Sequence, residues 1–352
     1  MKPAAKKPGF AALLRETLRE APTPWRALRW LAEYVALRTW CVVINWFPIE
    51  LNLRTAALLG RAWWALRPKN RRQALENLRA ALGARYGEAR LRRIARRSFE
   101  HFAQVFLVEL AMTPRLVNLW SWSRYVELCD LGPALRRLLE GRPTILVTAH
   151  FGNFELLGYA IARLGLPLHA VMRPLDNPLL NDFLLGSREV AGLHLLYKKG
   201  AASRFTDVLG AGGALAFIAD QDAGRKGVFA DFFGRKASWY KSIGLLAMRH
   251  DAAIVVGYAA RTRPGFRYRI AIERIIEPAE WRDLPRPLEW ITQAFAAGLE
   301  NAIARWPEQY LWVHRRWKTR PKAELAGVTS PAVNGADATV GSPAADSPSL
   351  GA

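Results

Sequence analysis

Short apolar runs rich in β-branched residues alternate with helix-like segments between residues 144 and 306. The helix-like segments include residues 153–165, 178–191 and 288–306. This alternation predicts an α/β fold, with a central, largely parallel sheet flanked by helices. The segment 221–239 is expected to be a long loop. The runs expected to form strands are TILVTAH (144–150), LHAVM (168–172), LHLLY (193–197), ALAFIAD (214–220), AAIVVGYAAR (252–261) and FRYRIAIERII (266–276).

The residues before this core divide into three segments. Residues 1–24 are expected to form a basic arm, with an amphipathic helix over 10–20. Residues 25–66 mix tryptophans with arginines, which favours helices that associate with a membrane interface; helices packed on the core are the alternative. Residues 67–140 are expected to form a helical cover on the core of residues 141–322.

Two further features of the chain ends follow from composition. Residues 323–352 are expected to be disordered, because alanine, proline, serine and glycine dominate them. Near the N-terminus, the longest uncharged apolar stretch, residues 39–49, is shorter than the ~20 residues that a spanning helix needs. The sequence therefore favours peripheral membrane binding over a transmembrane anchor.

The chain is strongly basic, with a formal net charge of +21. The acids after Lys322 are Glu324, Asp337 and Asp346, so residues 1–323 carry +21 plus 3, or +24. This charge favours anionic partners: nucleic acid, an anionic membrane, phosphorylated substrates or an acidic carrier protein. The two cysteines, Cys41 and Cys129, support neither a disulfide framework nor a zinc site, and a reducing location follows.

The stretch LVTAHFGNFELLG, residues 147–159, contains the strongest candidate for chemistry. In one straight helix, His150 and Glu155 would point about 140° apart. With His150 at the end of a strand and a turn at Gly152 and Asn153, the Glu155 carboxylate can fold back to the imidazole. Such a pair could deprotonate a hydroxyl, and backbone N–H groups at the helix start could hold an oxyanion. A capped helix beside a structurally packed histidine is the alternative.

Several other catalytic motifs are absent from the sequence. It contains no G-x-S-x-G elbow, no G-x-x-x-x-G-K-[ST] loop and no G-x-G-x-x-G fingerprint. These absences argue against a serine hydrolase, a P-loop enzyme and a dinucleotide-dependent enzyme.

Five sequence blocks, in order along the chain, resemble one enzyme family. The block TAHFGNFE resembles the HFGNWE-type motif of the late acyltransferases of bacterial lipid A biosynthesis, in the lysophospholipid acyltransferase superfamily. The resemblance covers roughly residues 25–322. The FPEGTRS-like block of the glycerol-phosphate branch is absent, which argues against a phosphatidic acid synthase. The other four blocks are NRRQALENL (70–78), VMRPLDNPLLNDFLLGSRE (171–189), DQDAGRKGVFADFFGRKAS (220–238) and WPEQYLWVHRRWKTRP (306–321).

The resemblance implies roles for particular residues. His150 would be the general base, Glu155 the carboxylate that orients it, and Arg173 the ligand of an oxyanion or an acceptor phosphate. Phe232 and Phe233 would line the lipid entrance. The remaining candidates for substrate binding are Gly152, Asn153, Asp220, Gln221, Asp222, Arg315 and Arg316.

The function that the resemblance implies is acyl transfer from acyl carrier protein, or from coenzyme A, to a hydroxyl of a lipid A precursor. The expected partners are an acyl carrier protein and an anionic membrane lipid; neither nucleic acid nor a metal or redox cofactor is expected. The enzyme would be a monomer, bound peripherally to the cytoplasmic face of the bacterial inner membrane. The alternatives are the same chemistry on another lipid acceptor and a basic protein without enzymatic activity that binds nucleic acid or membranes.

Overall fold

The computed structural model describes residues 9–166, 168–172, 174–190, 192–197 and 202–322. The disorder expected for residues 323–352 concerns residues outside this range. The helices are α1 (Phe10–Glu20), α2 (Pro24–Asn45), α3 (Ile49–Leu66), α4 (Pro68–Leu82), α5 (Glu88–Gln104), α6 (Leu110–Leu116), α7 (Trp122–Tyr125), α8 (Gly132–Leu139), α9 (Phe154–Arg163), α10 (Pro178–Val190), α11 (Ala202–Gly210), α12 (Lys241–His250) and α13 (Pro287–Arg305). A π-helical turn, Val105–Glu109, joins α5 to α6.

A seven-stranded, mostly parallel sheet forms the centre of the protein and confirms the expected α/β class. Its strand order is β1-β9-β8-β2-β5-β3-β4, and the pairing of β8 with β9 is antiparallel. The strands are β1 (Val126–Cys129), β2 (Thr144–Thr148), β3 (Leu168–Met172), β4 (Leu193–Tyr197), β5 (Ala214–Ile218), β8 (Ala253–Arg261) and β9 (Tyr268–Ile276). In this sheet β2 and β5 are parallel neighbours, with Thr148 paired to Ile218.

The two faces of the sheet pack against different helices. On one face, Ile145 and Val147 of β2 belong to a core that includes Ile243 of α12 and Phe295 of α13. On the other face, Leu146 and Ala216 pack against the core formed with α9. Side chains of a strand alternate between the faces, so His150 lies on the same side as Leu146 and Thr148.

A two-stranded antiparallel hairpin, β6 (Val228–Phe232) and β7 (Arg235–Trp239), occupies the segment expected to be a long loop. Its turn is made by Phe233 and Gly234, both with positive φ (52° and 69°). Asparagine or glycine usually takes the first of these positions, so Phe-Gly gave no turn signal in the sequence. The expected helical cover of residues 67–140 also contains an edge strand, β1, which at four residues is too short to show a period.

The N-terminal helices α2 and α3 have both packed and exposed apolar residues. Trp30 and Leu53 are buried against the rest of the protein. Trp46, at the junction of the two helices, and Leu58, on α3, are 81% and 60% exposed. None of the helices within the described residues combines the length and apolarity that crossing a membrane requires.

Candidate active site

His150 lies two residues beyond the end of β2, on the carboxyl side of the sheet. Its Nδ1 is 2.8 Å from Oδ1 of Asp220. A carboxylate accepts hydrogen bonds, so Nδ1 carries the hydrogen and Nε2 keeps its lone pair in the neutral ring. The imidazole is thereby held in one tautomer, with Nε2 available to accept a proton.

Asp220 occupies the equivalent position beyond the neighbouring strand. It lies two residues after β5, as His150 lies two residues after β2, and the two strands run in register up to Thr148 and Ile218. The Asp220 side chain is 1% exposed, compared with 17% for His150. The sheet therefore brings together two side chains that are 70 residues apart in the chain.

The two groups shift each other's pKa. Burial on its own lowers the pKa of His150, but the charge and hydrogen bond of Asp220, with a smaller contribution from the charge of Glu155, raise it above its ordinary value. Burial on its own raises the pKa of Asp220, and the charge and hydrogen bonds of His150 bring it below its ordinary value. Asp220 is therefore a carboxylate that favours the protonated imidazole.

Glu155 lies in the first turn of α9, as the sequence predicts. The position at Nδ1 of His150, which the sequence analysis gives to Glu155, is held by Asp220. Glu155 is half-buried and, with His150, lines the large cavity described below. Its charge acts on His150, whereas Asp220 contributes both charge and a hydrogen bond.

Backbone hydrogen bonds and a close approach of the Ala259 carbonyl fix the turn between His150 and α9. Gly152 has φ +58°, and a Cβ there would lie 1.9 Å from the carbonyl oxygen of Ala259. Its N–H donates to the carbonyl of Gln309 at 2.9 Å, and the N–H of Asn153 donates to Ala259 at 2.8 Å. The N–H groups of Gly152 and Asn153 are thus engaged within the protein.

A buried histidine supports the same turn. Nε2 of His101 is 3.0 Å from the carbonyl oxygen of Gly152. Burial, together with the nearby charge of Arg261, lowers the pKa of His101 to about 3. Neutral His101 therefore carries its hydrogen on Nε2 and donates it to Gly152.

A buried carboxylate, Glu109, lies under the start of α9. It accepts hydrogen bonds from Asn153 Nδ2 at 2.8 Å and from the hydroxyl of Tyr268 at 2.6 Å, and it pairs with Arg261. The Oδ1 of Asn153 in turn caps α9 by accepting from Leu156 N–H at 2.8 Å. Burial raises the pKa of Glu109, against the effects of Arg261 and of the two hydrogen bonds.

Sequence reasoning missed this supporting network. Glu109 lies within the apolar run VFLVEL, where an acid needs a buried partner. The acid within this apolar run was the one sequence signal that could have indicated a buried polar network. Arg261 and Tyr268, on β8 and β9, gave no comparable signal because their partners are distant in sequence.

The C-terminal segment closes the other side of the site. Tyr310 forms an isolated antiparallel β-bridge with Phe151, and the N–H of Leu311 donates to the carbonyl of His150 at 3.0 Å. Arg316 is 1% exposed; its guanidinium lies 4.0 Å from the centre of the Trp239 ring, and Nη1 donates to the Ser238 carbonyl at 2.7 Å. This arginine packs behind Asp220, whose pKa its charge helps to lower.

The remaining candidates are dispersed. Gln221 and Arg315 are exposed, and Asp222 accepts a hydrogen bond from the hydroxyl of Thr319 at 2.8 Å. Arg173 lies outside the described residues. Phe232 and Phe233 are buried among aromatic rings that include Trp239, Trp312 and Trp317, and neither lines the cavity beside His150.

An apolar cavity of about 440 Å³ extends from His150 and Glu155. Six neighbouring strands of the sheet line it: β9, β8, β2, β5, β3 and β4. Its other walls come from α8, α9, α10 and the π-helical turn. Apart from Thr148, His150 and Glu155, its lining residues are apolar. Such a cavity suits a hydrocarbon chain with its polar end at the imidazole.

A carboxylate-held imidazole beside an apolar cavity is the arrangement expected of an enzyme that activates a hydroxyl next to a fatty acyl donor. Comparison with known families agrees: the model of the bacterial lipid A biosynthesis acyltransferases matches residues 20–319. The chain belongs to this family and is an acyltransferase. Membership excludes the non-enzymatic alternative.

Individual relatives support this assignment. The chain is 28% identical to the lipid A biosynthesis palmitoleoyltransferase of Escherichia coli strain K12 over 305 residues, covering 80% of this chain and 90% of the relative. It is 26% identical to the lipid A biosynthesis lauroyltransferase of the same organism over 212 residues, covering 58% and 67%. A lipid A biosynthesis acyltransferase of Haemophilus influenzae is 24% identical over 324 residues, covering 88% and 96%.

Proposed function

We propose that this acyltransferase moves a fatty acyl group from acyl carrier protein to a hydroxyl of a lipid A precursor. The observation that carries the proposal is the apolar cavity that ends at a half-buried imidazole held by Asp220. Two of the similar proteins are named for transferring palmitoleoyl and lauroyl groups in lipid A biosynthesis, which are chains of the kind an apolar cavity accepts.

In the proposed reaction, His150 acts as the general base. Nε2 takes the proton of the acceptor hydroxyl as the hydroxyl oxygen attacks the thioester carbonyl. Asp220 stabilises the imidazolium that forms and keeps the ring oriented. When the carbon–sulfur bond breaks, the imidazolium returns the proton to the departing thiolate. The thioester already carries an activated acyl group, so the proposed reaction requires no metal or redox cofactor.

Other residues have proposed roles around this centre. Glu155, on the cavity wall, adds negative charge near the imidazole and so strengthens its basicity. Arg173 is proposed to bind the developing oxyanion or a phosphate of the acceptor. Exposed Arg315 and Gln221 are proposed to contact the polar part of the acceptor.

The partners follow from charge and from exposed apolar surface. The charge of +24 on residues 1–323 suits an acidic carrier protein and an anionic lipid surface. The outward apolar residues of α2 and α3 suit insertion into the membrane interface. We propose that the enzyme binds peripherally, as a monomer, to the cytoplasmic face of the inner membrane.

Lipid mass spectrometry tests the proposed function. Wild type and His150→Ala are expressed in bacteria that lack the late acylation steps of lipid A, with Arg249→Ala, exposed on α12, as a control. A mass gain of one acyl group on lipid A with wild type and Arg249→Ala, and not with His150→Ala, is expected. A His150-dependent gain on a different lipid would replace the acceptor, and a gain that persists in His150→Ala would remove His150 as the base.

A further inference from the structure

Gly158 lies within helix α9, where glycine is unfavourable because it gives the unfolded chain extra freedom. Two glycines inside other helices have a packing reason. A Cβ at Gly60 of α3 would lie 2.6 Å from the Glu100 backbone, and one at Gly244 of α12 would lie 2.6 Å from Leu288 Cδ1. Close approach of neighbouring elements therefore requires glycine at those two positions.

Gly158 has no such neighbour among the described residues. A Cβ there would meet Leu193 Cδ2 at 3.8 Å, an ordinary van der Waals contact. Its φ is also not among the positive values. Neither packing nor backbone conformation thus accounts for glycine, and alanine would fit without displacement.

The space beside Gly158 is the apolar cavity. Gly158 lines it together with Leu193 of β4. The cavity face of α9 consists of Phe154, Glu155, Leu157, Gly158 and Ile161. Gly158 follows Glu155 by three residues, or about 4.5 Å along the helix axis. A chain that starts at His150 and runs along α9 passes Gly158 after one helical turn.

We propose that Gly158 is a specificity-determining residue that sets the length of acyl chain the enzyme transfers. The missing side chain keeps the cavity open past the first turn of α9, so that the distal methylenes of a long chain pass along this face of α9. A larger side chain at this position fills that passage and shortens the accepted chain. This inference rests on the proposed function, since it assigns the cavity to the donor's acyl group.

Competition between acyl donors tests the proposal. Purified full-length enzyme receives a mixture of acyl carrier proteins loaded with decanoyl, dodecanoyl, tetradecanoyl and hexadecanoyl chains, and the products are measured by mass spectrometry. For Gly158→Met, the ratio of kcat/KM for the longest to the shortest accepted chain falls by about tenfold or more, because each excluded methylene alters selectivity on that scale. Gly158→Ala shifts the ratio in the same direction by less and raises Tm.

The control is Gly210→Met, which makes the same substitution at another helical glycine. Gly210 ends α11, is exposed, and has open space around it outside the cavity. Its profile should equal that of wild type.

Three outcomes overturn the proposal. One is a Gly158→Met profile that matches wild type. Another is an equal loss of rate for every chain length in a protein that melts normally. If Gly158→Met does not fold, an unchanged profile in Gly158→Ala together with unchanged selectivity in Gly158→Ser overturns it instead. Failure of the proposed function is distinguishable, because wild type itself would then transfer none of the four chains.

Discussion

His150 and Asp220 occupy equivalent positions beyond two adjacent parallel strands, and this register brings the imidazole and the carboxylate to 2.8 Å. The contact therefore depends on the pairing of β2 with β5. Sheet strands therefore position both the proposed base and its carboxylate partner, whereas helix α9 positions Glu155.

Asp220→Asn is expected to reduce the rate of acyl transfer and to move the acid limb of its pH–rate profile. Activity requires neutral His150, so it rises with pH through the pKa of that residue. Without the Asp220 charge, burial dominates and the pKa of His150 falls, so the acid limb of kcat/KM moves to lower pH. The rate at the plateau falls by about 10²-fold or more because the imidazolium is no longer stabilised. Asp222→Asn is the control, and an unshifted acid limb in Asp220→Asn would contradict the assignment.

Glu109→Gln is expected to destabilise the protein by about 3–5 kcal/mol, because it leaves the buried guanidinium of Arg261 without its counter-charge. Urea unfolding measures the change. Tyr268→Phe removes one hydrogen bond to the same carboxylate and another that the hydroxyl accepts from Arg261 at 2.9 Å, and should cost about 2 kcal/mol. Equal effects of the two substitutions would show that the charge of Glu109 is unimportant.

Gly152→Ala is expected to prevent formation of the native turn, since the added Cβ would lie 1.9 Å from the Ala259 carbonyl oxygen. Gly141→Ala separates the two causes of strain. Gly141 also has positive φ (65°) but has nothing within 4 Å of the added Cβ, so it should cost about 1–2 kcal/mol. Circular dichroism melts compare the variants, and similar Tm values for both would rule out the clash.

The adjacent residues Arg315 and Arg316 should differ in how much substitution by methionine changes the stability of the protein. Arg316→Met removes the donor to the Ser238 carbonyl and should cost about 2 kcal/mol of unfolding free energy. Arg315→Met should change stability by less than about 0.5 kcal/mol because the side chain is exposed. Binding to anionic vesicles should weaken for Arg315→Met. If Arg315→Met destabilised the protein more than Arg316→Met, the structural and surface roles of the two arginines would be reversed.

Two exposed tryptophans on neighbouring segments are expected to insert into the membrane interface. Trp46 and Trp120 are 81% and 94% exposed, and Arg115 ties their segments together by donating to the Asn45 carbonyl at 2.6 Å. Replacing both with serine should weaken binding to anionic vesicles by roughly tenfold or more while leaving Tm unchanged. Leu245→Ser, on α12 at the other face of the sheet, is the control in vesicle sedimentation. Equal binding of all three proteins would exclude this surface.

The sequence predicted the fold well where the pattern is local. The strands from β2 to β5 and the helix α9 were expected close to their observed bounds, because each has its own period and its own turn residues. The hairpin of β6 and β7 was not expected, since its turn depends on a positive φ at Phe233.

The site shows the same division between local and distant contacts. His150, the turn at Gly152 and the helix start at Asn153 are contiguous, so their geometry follows from the sequence. Asp220 was predicted at the edge of the site, but its hydrogen bond to His150 depends on strand order, which the sequence leaves open. Glu109 depends on partners 44 to 159 residues away, and no local pattern indicates them.

The segment around Tyr310 and Leu311 joins the His150 turn directly, so the geometry of the candidate site is completed by residues near the end of the described range. During synthesis, α2 and α3 leave the ribosome some 250 residues earlier than this segment. The apolar surface of these helices, which is proposed to bind the membrane, is thus synthesised before the segment that completes the turn after His150.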